Sequence, residues 1–370
     1  MRIVHYYPWA LRGDFGTSIA VRGWCQAVAA AGEEVALLTV EDDAVAVPPV
    51  GVELLPLPGA PADLATPRSL APAFDGADLV VLHGGWDIRN TAAAAAARRA
   101  KVPYLVTPHG AYYPQVFERR KVFLKRAWWS LVERRYLRSA RAAHLFFQEE
   151  AAHLAERGAV LPLVIAPNGF VAPPGVTWRP SEEPYLLWLG RYDPQHKGLD
   201  LLLEALSLVP ASERIPVHLH GVDWHGKRSV VSAIARERGL QRSVTVEGPI
   251  YGDEKWQLMA GARGFLYPSR WDASPIAVVE AASIGVPTLV TPFPVGSFLA
   301  SRDAAIEAAP EPEALARGLR ALLAPGSFAV GARAVDVIRD ELSWSRVADT
   351  WREQVYAMLL DSAGTSGTEG

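Results

Sequence analysis

The sequence predicts an α/β fold made of two doubly wound parallel-sheet domains of similar size. Three observations carry that expectation. Short apolar runs alternate with longer helical patterns from end to end, as they do where crossover helices join parallel strands. A breaker-rich stretch, Ala166-Pro167-Asn168-Gly169 then Pro173-Pro174-Gly175 and Arg179-Pro180, interrupts the alternation near its middle and reads as a linker. The length of 370 residues suits two domains, since one usually takes about 100–200.

The first series of strands is Ile3–Tyr6, Val35–Val40, Leu79–Leu82, Tyr104–Val106 and Ala143–Phe147, with helices at Thr17–Ala31, Thr91–Arg99 and a long basic stretch from Arg119 to Ser139. The second has strands Tyr185–Leu189, Val217–His220, Val244–Val246, Phe265–Tyr267 and Thr288–Val290. Its helices are Leu199–Leu208, Ser229–Arg238, Glu254–Ala260 and Ile276–Ile284. Domains at 1–168 and 169–343 follow. Two such halves are expected to face each other across a cleft that receives both sets of strand C-termini. A last helix at 344–360 carries Val347, Trp351, Val355, Met358 and Leu359 at spacings of three and four, so it must pack on something; it is expected to cross back to the first domain. Residues 361–370 are rich in Gly, Ser and Thr and are expected to be disordered.

With half of its residues apolar the chain can bury two cores, and its net charge of −3 gives no reason to expect nucleic acid as a partner. Cys25 stands alone, so no disulfide forms within the chain, and a reducing cytoplasm is the natural setting. Met1-Arg2-Ile3-Val4 reads as a first strand with no signal peptide before it. No apolar run approaches the roughly 20 residues of a membrane span.

Two charge clusters carry the chemistry. Gly190-Arg191-Tyr192-Asp193-Pro194-Gln195-His196-Lys197-Gly198 follows a strand, and Trp271-Asp272-Ala273-Ser274-Pro275 leads into the helix that bears Glu280. The Arg191 fork can grip phosphate oxygens through two parallel bonds, and Lys197 adds a compact charge. Gly190 and Gly198 are expected to let a ligand approach the backbone. The bland alternative is a solvated loop with two surface cations. Ser274 suits an N-cap and Pro275 a first helical position, and the free amides there would face an anion. On one straight helix Asp272 and Glu280 would lie about 12 Å apart. That is too far for the roughly 5–5.5 Å of a retaining hydrolase pair. They suit two ends of one long ligand, Asp272 near a sugar and Glu280 near a ribose. Otherwise Glu280 is a helix-face carboxylate with a cation partner.

Gly190-Arg191 with Lys197-Gly198, then Asp272 with Glu280 and Ala281-Ala282-Ser283-Ile284-Gly285-Val286-Pro287, resembles the donor half of family 4 retaining glycosyltransferases, which have the two-domain GT-B fold. Pro167-Asn168-Gly169, Pro268-Ser269, Thr107-Pro108-His109-Gly110, and Pro8 with Gly13 and Gly16 extend the likeness over nearly the whole chain. The resemblance implies a hexosyltransferase-type enzyme that takes a nucleotide-diphosphate sugar as co-substrate and a hydroxyl acceptor, with no metal or other cofactor. It implies that Arg191 and Lys197 hold the diphosphate and Glu280 the ribose. Asp272, helped by the amides from Ser274, Pro275 and Ile276, would contact the sugar, with His109 beside it, while Gly16 and Thr17 let the first helix approach the phosphate. The family's first acidic position is Glu; here it is Asp272. Ala273-Ser274-Pro275-Ile276 lacks the usual glycine and aromatic residue, and Asp14-Phe15 separates two loop glycines that are commonly adjacent.

Other readings stay open. A sugar-nucleotide epimerase shares this architecture, as would a partner protein that lost the chemistry. Gly248, Ile250 and Tyr251 could line a nucleobase pocket or form a plain turn. His218, His220 and His225 lack the further ligands of a zinc site, and no metal is expected. Residues 118–141 hold nine Arg or Lys against two Glu, interleaved with Phe123, Trp128, Trp129, Leu131 and Tyr136. Such a helix can rest on an anionic membrane, at the inner face for a cytoplasmic protein, or cover a sheet and expose its arginines. The covering role is favoured.

Overall fold

The structure is a computed structural model that describes residues 1–11, 16–40, 49–57, 66–118 and 122–365. It divides into two compact units, Met1–Gly169 with Trp344–Gly370, and Phe170–Ser343.

The first unit holds a seven-stranded sheet of β1 (Arg2–Ala10), β2 (Glu34–Val40), β3 (Val52–Pro56), β4 (Leu79–His83), β5 (Tyr104–Thr107), β6 (Ala142–Leu145) and β7 (Leu163–Ile165), in the order β3-β2-β1-β4-β5-β6-β7. Every pairing is parallel. Its central strands are buried on both faces, as continuous apolar runs such as Leu79-Val80-Val81-Leu82 require. One face packs on Leu70, Phe74 and the alanines of the helix Ile88–Arg99. The other packs on the helix Gly16–Ala30 and on Val347, Trp351 and Val355 of the final helix, Trp344–Thr365.

That final helix therefore belongs to the first unit's core. Gln354 clamps the edge strand β7, its Oε1 accepting from Ile165 N and its Nε2 donating to Ile165 O, both at 2.8 Å. The helix continues to Thr365, past the end expected at 360, because nothing in Asp361-Ser362-Ala363 breaks it. Residues 366–370 of the expected disordered tail lie outside the described residues.

The second unit repeats the plan with β8 (Leu186–Arg191), β9 (Val217–Val222), β10 (Val244–Glu247), β11 (Gly264–Tyr267), β12 (Thr288–Val290) and β13 (Ile306–Glu307). The order is β10-β9-β8-β11-β12-β13, again all parallel. Each sheet reverses direction beside its first strand, between β1 and β4 and between β8 and β11. In doubly wound sheets that switch point is where ligands bind, at the strand C-termini.

The basic stretch is not one helix. It comprises Pro114–Glu118, Val122–Trp128, a π-helical turn at Trp129–Glu133 and Arg134–Arg138; residues 119–121 lie outside the described residues. In the π turn Arg134 N donates to Trp129 O, and the extra residue turns Glu133 inward. There its buried carboxylate accepts from Trp86 N at 2.8 Å, Tyr112 OH at 2.7 Å and Trp128 Nε1 at 2.8 Å. Trp129, Tyr136 and Leu137 are buried against the sheet side, whereas Phe123, Leu124 and Leu131 are exposed. No single helix among the described residues is long and apolar enough to cross a membrane.

Candidate functional site

In the second unit the two charge clusters meet at the switch point. Arg191 ends β8, and the loop to the helix Leu199–Leu208 carries His196 and Lys197. Tyr267 ends β11, and the loop to the helix Ile276–Ser283 carries Ser269 and Asp272. Lys197 Nζ, buried, donates to Asp272 Oδ2 at 2.7 Å and to Tyr267 OH at 2.8 Å. The same carboxylate oxygen accepts from Ser269 Oγ at 2.8 Å and Tyr267 OH at 3.2 Å. Burial alone would raise the Asp272 carboxyl, but Lys197 and His196 beside it outweigh burial and hold it below the usual aspartate range. Burial lowers the Lys197 ammonium, against the pull of Asp272.

His196 joins the two loops. Its ring stacks on Trp271, with centroids 4.5 Å apart and planes 2° from parallel. His196 Nε2 lies 2.8 Å from Trp271 O, so it carries the proton and donates. Nδ1 is then free to accept from Arg191 Nη2 at 3.3 Å. Burial, then the charge of Lys197, lowers the imidazole to about 4, which keeps it neutral and in this tautomer. Arg270 N donates to His196 O at 2.9 Å, and Arg270 grips Asp200 through both of its terminal nitrogens at 2.7 and 2.9 Å. Sequence reasoning gave His196, Tyr267 and Ser269 no role, although all three sit inside or beside the quoted motifs.

Arg191 lies over the Trp224 ring, 4.4 Å from its centroid, and its Nε is buried without a partner among the described residues. Ser274 Oγ is likewise buried and unpartnered. Ser274 therefore does not cap the helix. Pro275 holds the cap position with an extended ψ of 120°, and the helix starts at Ile276. The first amides of that helix thus have no side-chain cap, the condition under which a helix terminus receives an anion.

Glu280 is buried on the helix Ile276–Ser283 and accepts from Lys255 Nζ at 2.6 Å. Burial raises its carboxyl, opposed by Lys255. Lys255, on the helix Gly252–Gly261, is the cation partner that its apolar surroundings demand, and it was not foreseen. The glycines have a scaffold role. Gly198 has φ +64°, and a Cβ there would lie 1.8 Å from Pro268 O; a Cβ on Gly190 would meet the Trp188 ring at 2.8 Å. Gly198 thus lets one loop backbone touch the other.

Gly248 O accepts from His220 Nδ1 at 3.3 Å, while Ile250 is half-buried and Tyr251 exposed. His218 pairs with Thr245 Oγ1 at 3.1 Å. Among the described residues no group of three His, Cys, Asp or Glu side chains is placed to hold a metal.

In the first unit, His109 follows β5 at the switch-point side of the sheet, with φ +51°, a left-handed conformation that non-glycine residues rarely adopt. Its Nε2 lies 2.9 Å from His83 Nδ1. Gly16 opens the helix Gly16–Ala30 and is exposed, with Thr17 half-buried after it; Gly13 lies outside the described residues. Asn168 is buried and accepts from Trp24 Nε1 at 2.9 Å, and a Cβ on Gly169 would strike Trp344 at 2.7 Å. The Pro167-Asn168-Gly169 motif is therefore a packing element of this unit.

Residues 176–329 match the family described as glycosyl transferases group 1, and residues 15–169 match the glycosyl transferase 4-like domain. Solved structures that resemble the chain include sucrose-phosphate synthase from Thermosynechococcus elongatus, at 19% identity over 98% of this chain and 99% of that one, with a TM-score of 0.75. Anabaena HepE in complex with UDP-glucose is 16% identical over 96% and 100%, with a TM-score of 0.75. WaaG, a glycosyltransferase involved in lipopolysaccharide biosynthesis, is 20% identical over 95% and 99%, with a TM-score of 0.67. At these identities the likeness shows the fold, GT-B. No curated protein matches the sequence significantly.

Proposed function

The chain belongs to the GT4-type glycosyltransferases and its role is glycosyl transfer; from that premise we propose that it moves a hexose from a nucleotide-diphosphate donor to a hydroxyl acceptor with retention of anomeric configuration. The observation that carries this reading is the Arg191–His196–Lys197–Asp272 assembly at the β8/β11 switch point. It holds two cations, one of them with an unpartnered guanidinium nitrogen, and its Asp272 loop leads into a helix with uncapped amides, which suits a diphosphate. Anabaena HepE, of the same fold, has been solved with UDP-glucose, and a UDP-sugar is the first donor to test.

Arg191 and Lys197 are assigned to the diphosphate, Glu280 to the ribose, and Asp272 with Ser274, Pro275 and Ile276 to the sugar hydroxyls. Gly248, Ile250 and Tyr251 are assigned to the base, His109 to the transferred sugar, and Gly16 with Thr17 to the phosphate. In the reaction the bond between the anomeric carbon and the diphosphate oxygen breaks, and the electron pair leaves with the diphosphate. The acceptor oxygen bonds to the same face of that carbon, and its proton passes to the departing phosphate. The work is stabilisation of charge on the leaving group. The cations and helix amides supply it, so no metal is required.

A cytoplasmic protein resting on an anionic membrane fits the exposed Phe123, Leu124 and Leu131, which stand among the exposed Arg126, Arg135 and Arg138. The donor assignment is tested by a thermal-shift panel of UDP, GDP, dTDP and ADP sugars on the wild type and on Arg191→Ala/Lys197→Ala. A shift with one donor class that the double variant loses supports the reading. The same shift in the double variant contradicts it.

A further inference from the structure

Three histidines of the first unit, His5 and His83 buried and His109 half-buried, form a continuous hydrogen-bonded chain across adjacent strands. His5 lies in β1, His83 ends β4 and His109 follows β5. His5 Nδ1 is 2.9 Å from His83 Nε2, and His83 Nδ1 is 2.9 Å from His109 Nε2. The rings lie nearly parallel, at 5.2 Å and 17° for the first pair and 5.2 Å and 32° for the second. Asn90 Nδ2 donates to His83 O at 3.1 Å and fixes the middle of the chain, and Phe146 meets the His109 ring edge-on at 5.4 Å.

A neutral imidazole has one N–H and one acceptor nitrogen. A three-ring chain of this kind has only two self-consistent polarities. In the first, His5 Nδ1–H donates to His83, His83 Nδ1–H donates to His109 Nε2, and His109 is left with Nδ1–H. In the second every proton moves to the other nitrogen, and His109 Nδ1 becomes a bare acceptor. The far end decides between them. His5 Nε2 is buried and has no partner. The second polarity would place a proton there and strand a buried N–H, the rarer kind of orphan in folded proteins. The first leaves only an unused lone pair. Burial keeps all three rings neutral, His5 and His109 each lowered to about 3 and His83 lowered well below its ordinary value, so the chain has no charged form near neutral pH.

We propose that His5 and His83 are positioning residues that fix His109 as its Nδ1–H tautomer, so that it offers a hydrogen-bond donor at the end of β5. This rests on the assignment of His109 to the transferred sugar, where a donor would address a sugar oxygen. The left-handed His109 and Gly110, with φ of +51° and +76°, hold that nitrogen at a fixed turn.

The test is imidazole ¹⁵N NMR of the full chain labelled at histidine. In the wild type His109 should show a pyrrole-type Nδ1 and a pyridine-type Nε2. In His5→Phe, which keeps a ring against His83 but removes its donor, His109 should lose that single tautomer. His5→Asn, whose amide can donate to His83 Nε2, should restore it. Turnover in His5→Phe should fall about tenfold with the donor KM unchanged, the loss expected for one misdirected hydrogen bond. A wild-type His109 protonated at Nε2 would overturn the proposal, as would a His109 tautomer indifferent to both His5 variants. The wild-type spectrum decides even if a variant fails to fold. If the tautomers respond as expected but no sugar nucleotide binds, the functional assignment falls and the imidazole chain stands.

Discussion

Lys197 Nζ and Asp272 Oδ2 lie 2.7 Å apart, although 75 residues separate them in the chain. Each satisfies a charge that the other's burial would leave stranded, and together they tie the loop after β8 to the loop after β11. Breaking such a pair from one side usually costs about 3–5 kcal/mol, whereas replacing both partners with apolar groups is often near neutral. Lys197→Met is therefore expected to lower the unfolding free energy by about 3 kcal/mol. Lys197→Met/Asp272→Leu should lose less than the sum of the two single changes. Urea titrations of the four proteins read this coupling directly.

Gly198 is where the same two loops touch. Gly198→Ala forces a Cβ toward Pro268 O at a φ of +64°. A loss of about 1–3 kcal/mol is expected, with a weaker thermal shift by the donor. Gly175→Ala, also at positive φ but with open space around it, separates strain from collision, and its loss should be the smaller.

Four histidines make stability fall with acidification. Burial lowers His5 and His109 to about 3, and His144 and His196 to about 4, with neighbouring His144 adding for His5 and His109 and the charge of Lys197 adding for His196. An unfolded histidine titrates near 6.5. Between about pH 6.5 and 4 the unfolded chain binds protons that the folded chain refuses, so the unfolding free energy declines as pH falls. A decline of at least about 1.4 kcal/mol per pH unit is expected across that window. Chemical denaturation at pH 7, 6, 5 and 4.5 measures it, and a flat profile would show these rings to be accessible.

Lys255 steadies the charge on Glu280. Lys255→Met removes the one influence that opposes burial, so the Glu280 carboxyl rises further above its ordinary value. Nucleotide affinity in that variant should begin to fail at a higher pH than in the wild type as pH is lowered. Calorimetric titration with a nucleotide diphosphate over a pH series reads the displacement.

Phe123 and Leu131 are expected to reach into lipid. Phe123→Ser/Leu131→Ser should sharply reduce co-sedimentation with vesicles of phosphatidylglycerol and phosphatidylcholine at low salt. Its melting temperature should not change, because both side chains are exposed. No binding of the wild type under these conditions would remove membrane contact from the proposal.

The central strands were legible because burial on both faces leaves runs such as Leu79-Val80-Val81-Leu82. The edge strands were not. Val52–Pro56 is largely exposed, Leu163–Ile165 has three residues and Ile306–Glu307 two, too few to print a pattern. Four helices between Glu150 and Glu341, at Glu150–Ala155, Pro294–Ala300, Pro312–Leu323 and Ser327–Glu341, were passed over. The basic stretch was expected as one helix because its π turn serves Glu133, two of whose three donors, Trp86 N and Tyr112 OH, come from other parts of the chain. In the site, Arg191, Lys197, Asp272 and Glu280 stood out as charges beside apolar strands and helices. His196, Tyr267 and Lys255 did not, since what marks them is a partner tens of residues away. Ser274 misled because its residue type suits a cap, while the backbone at Pro275 places the helix start beyond its reach.

Calorimetric titration of the wild type and of Arg191→Ala with UDP and GDP weighs the diphosphate assignment most directly. Saturable binding of one nucleotide, weakened about a hundredfold when the Arg191 fork is lost, is the outcome this site requires. Equal affinity in the two proteins would mean that the end of β8 does not hold the diphosphate.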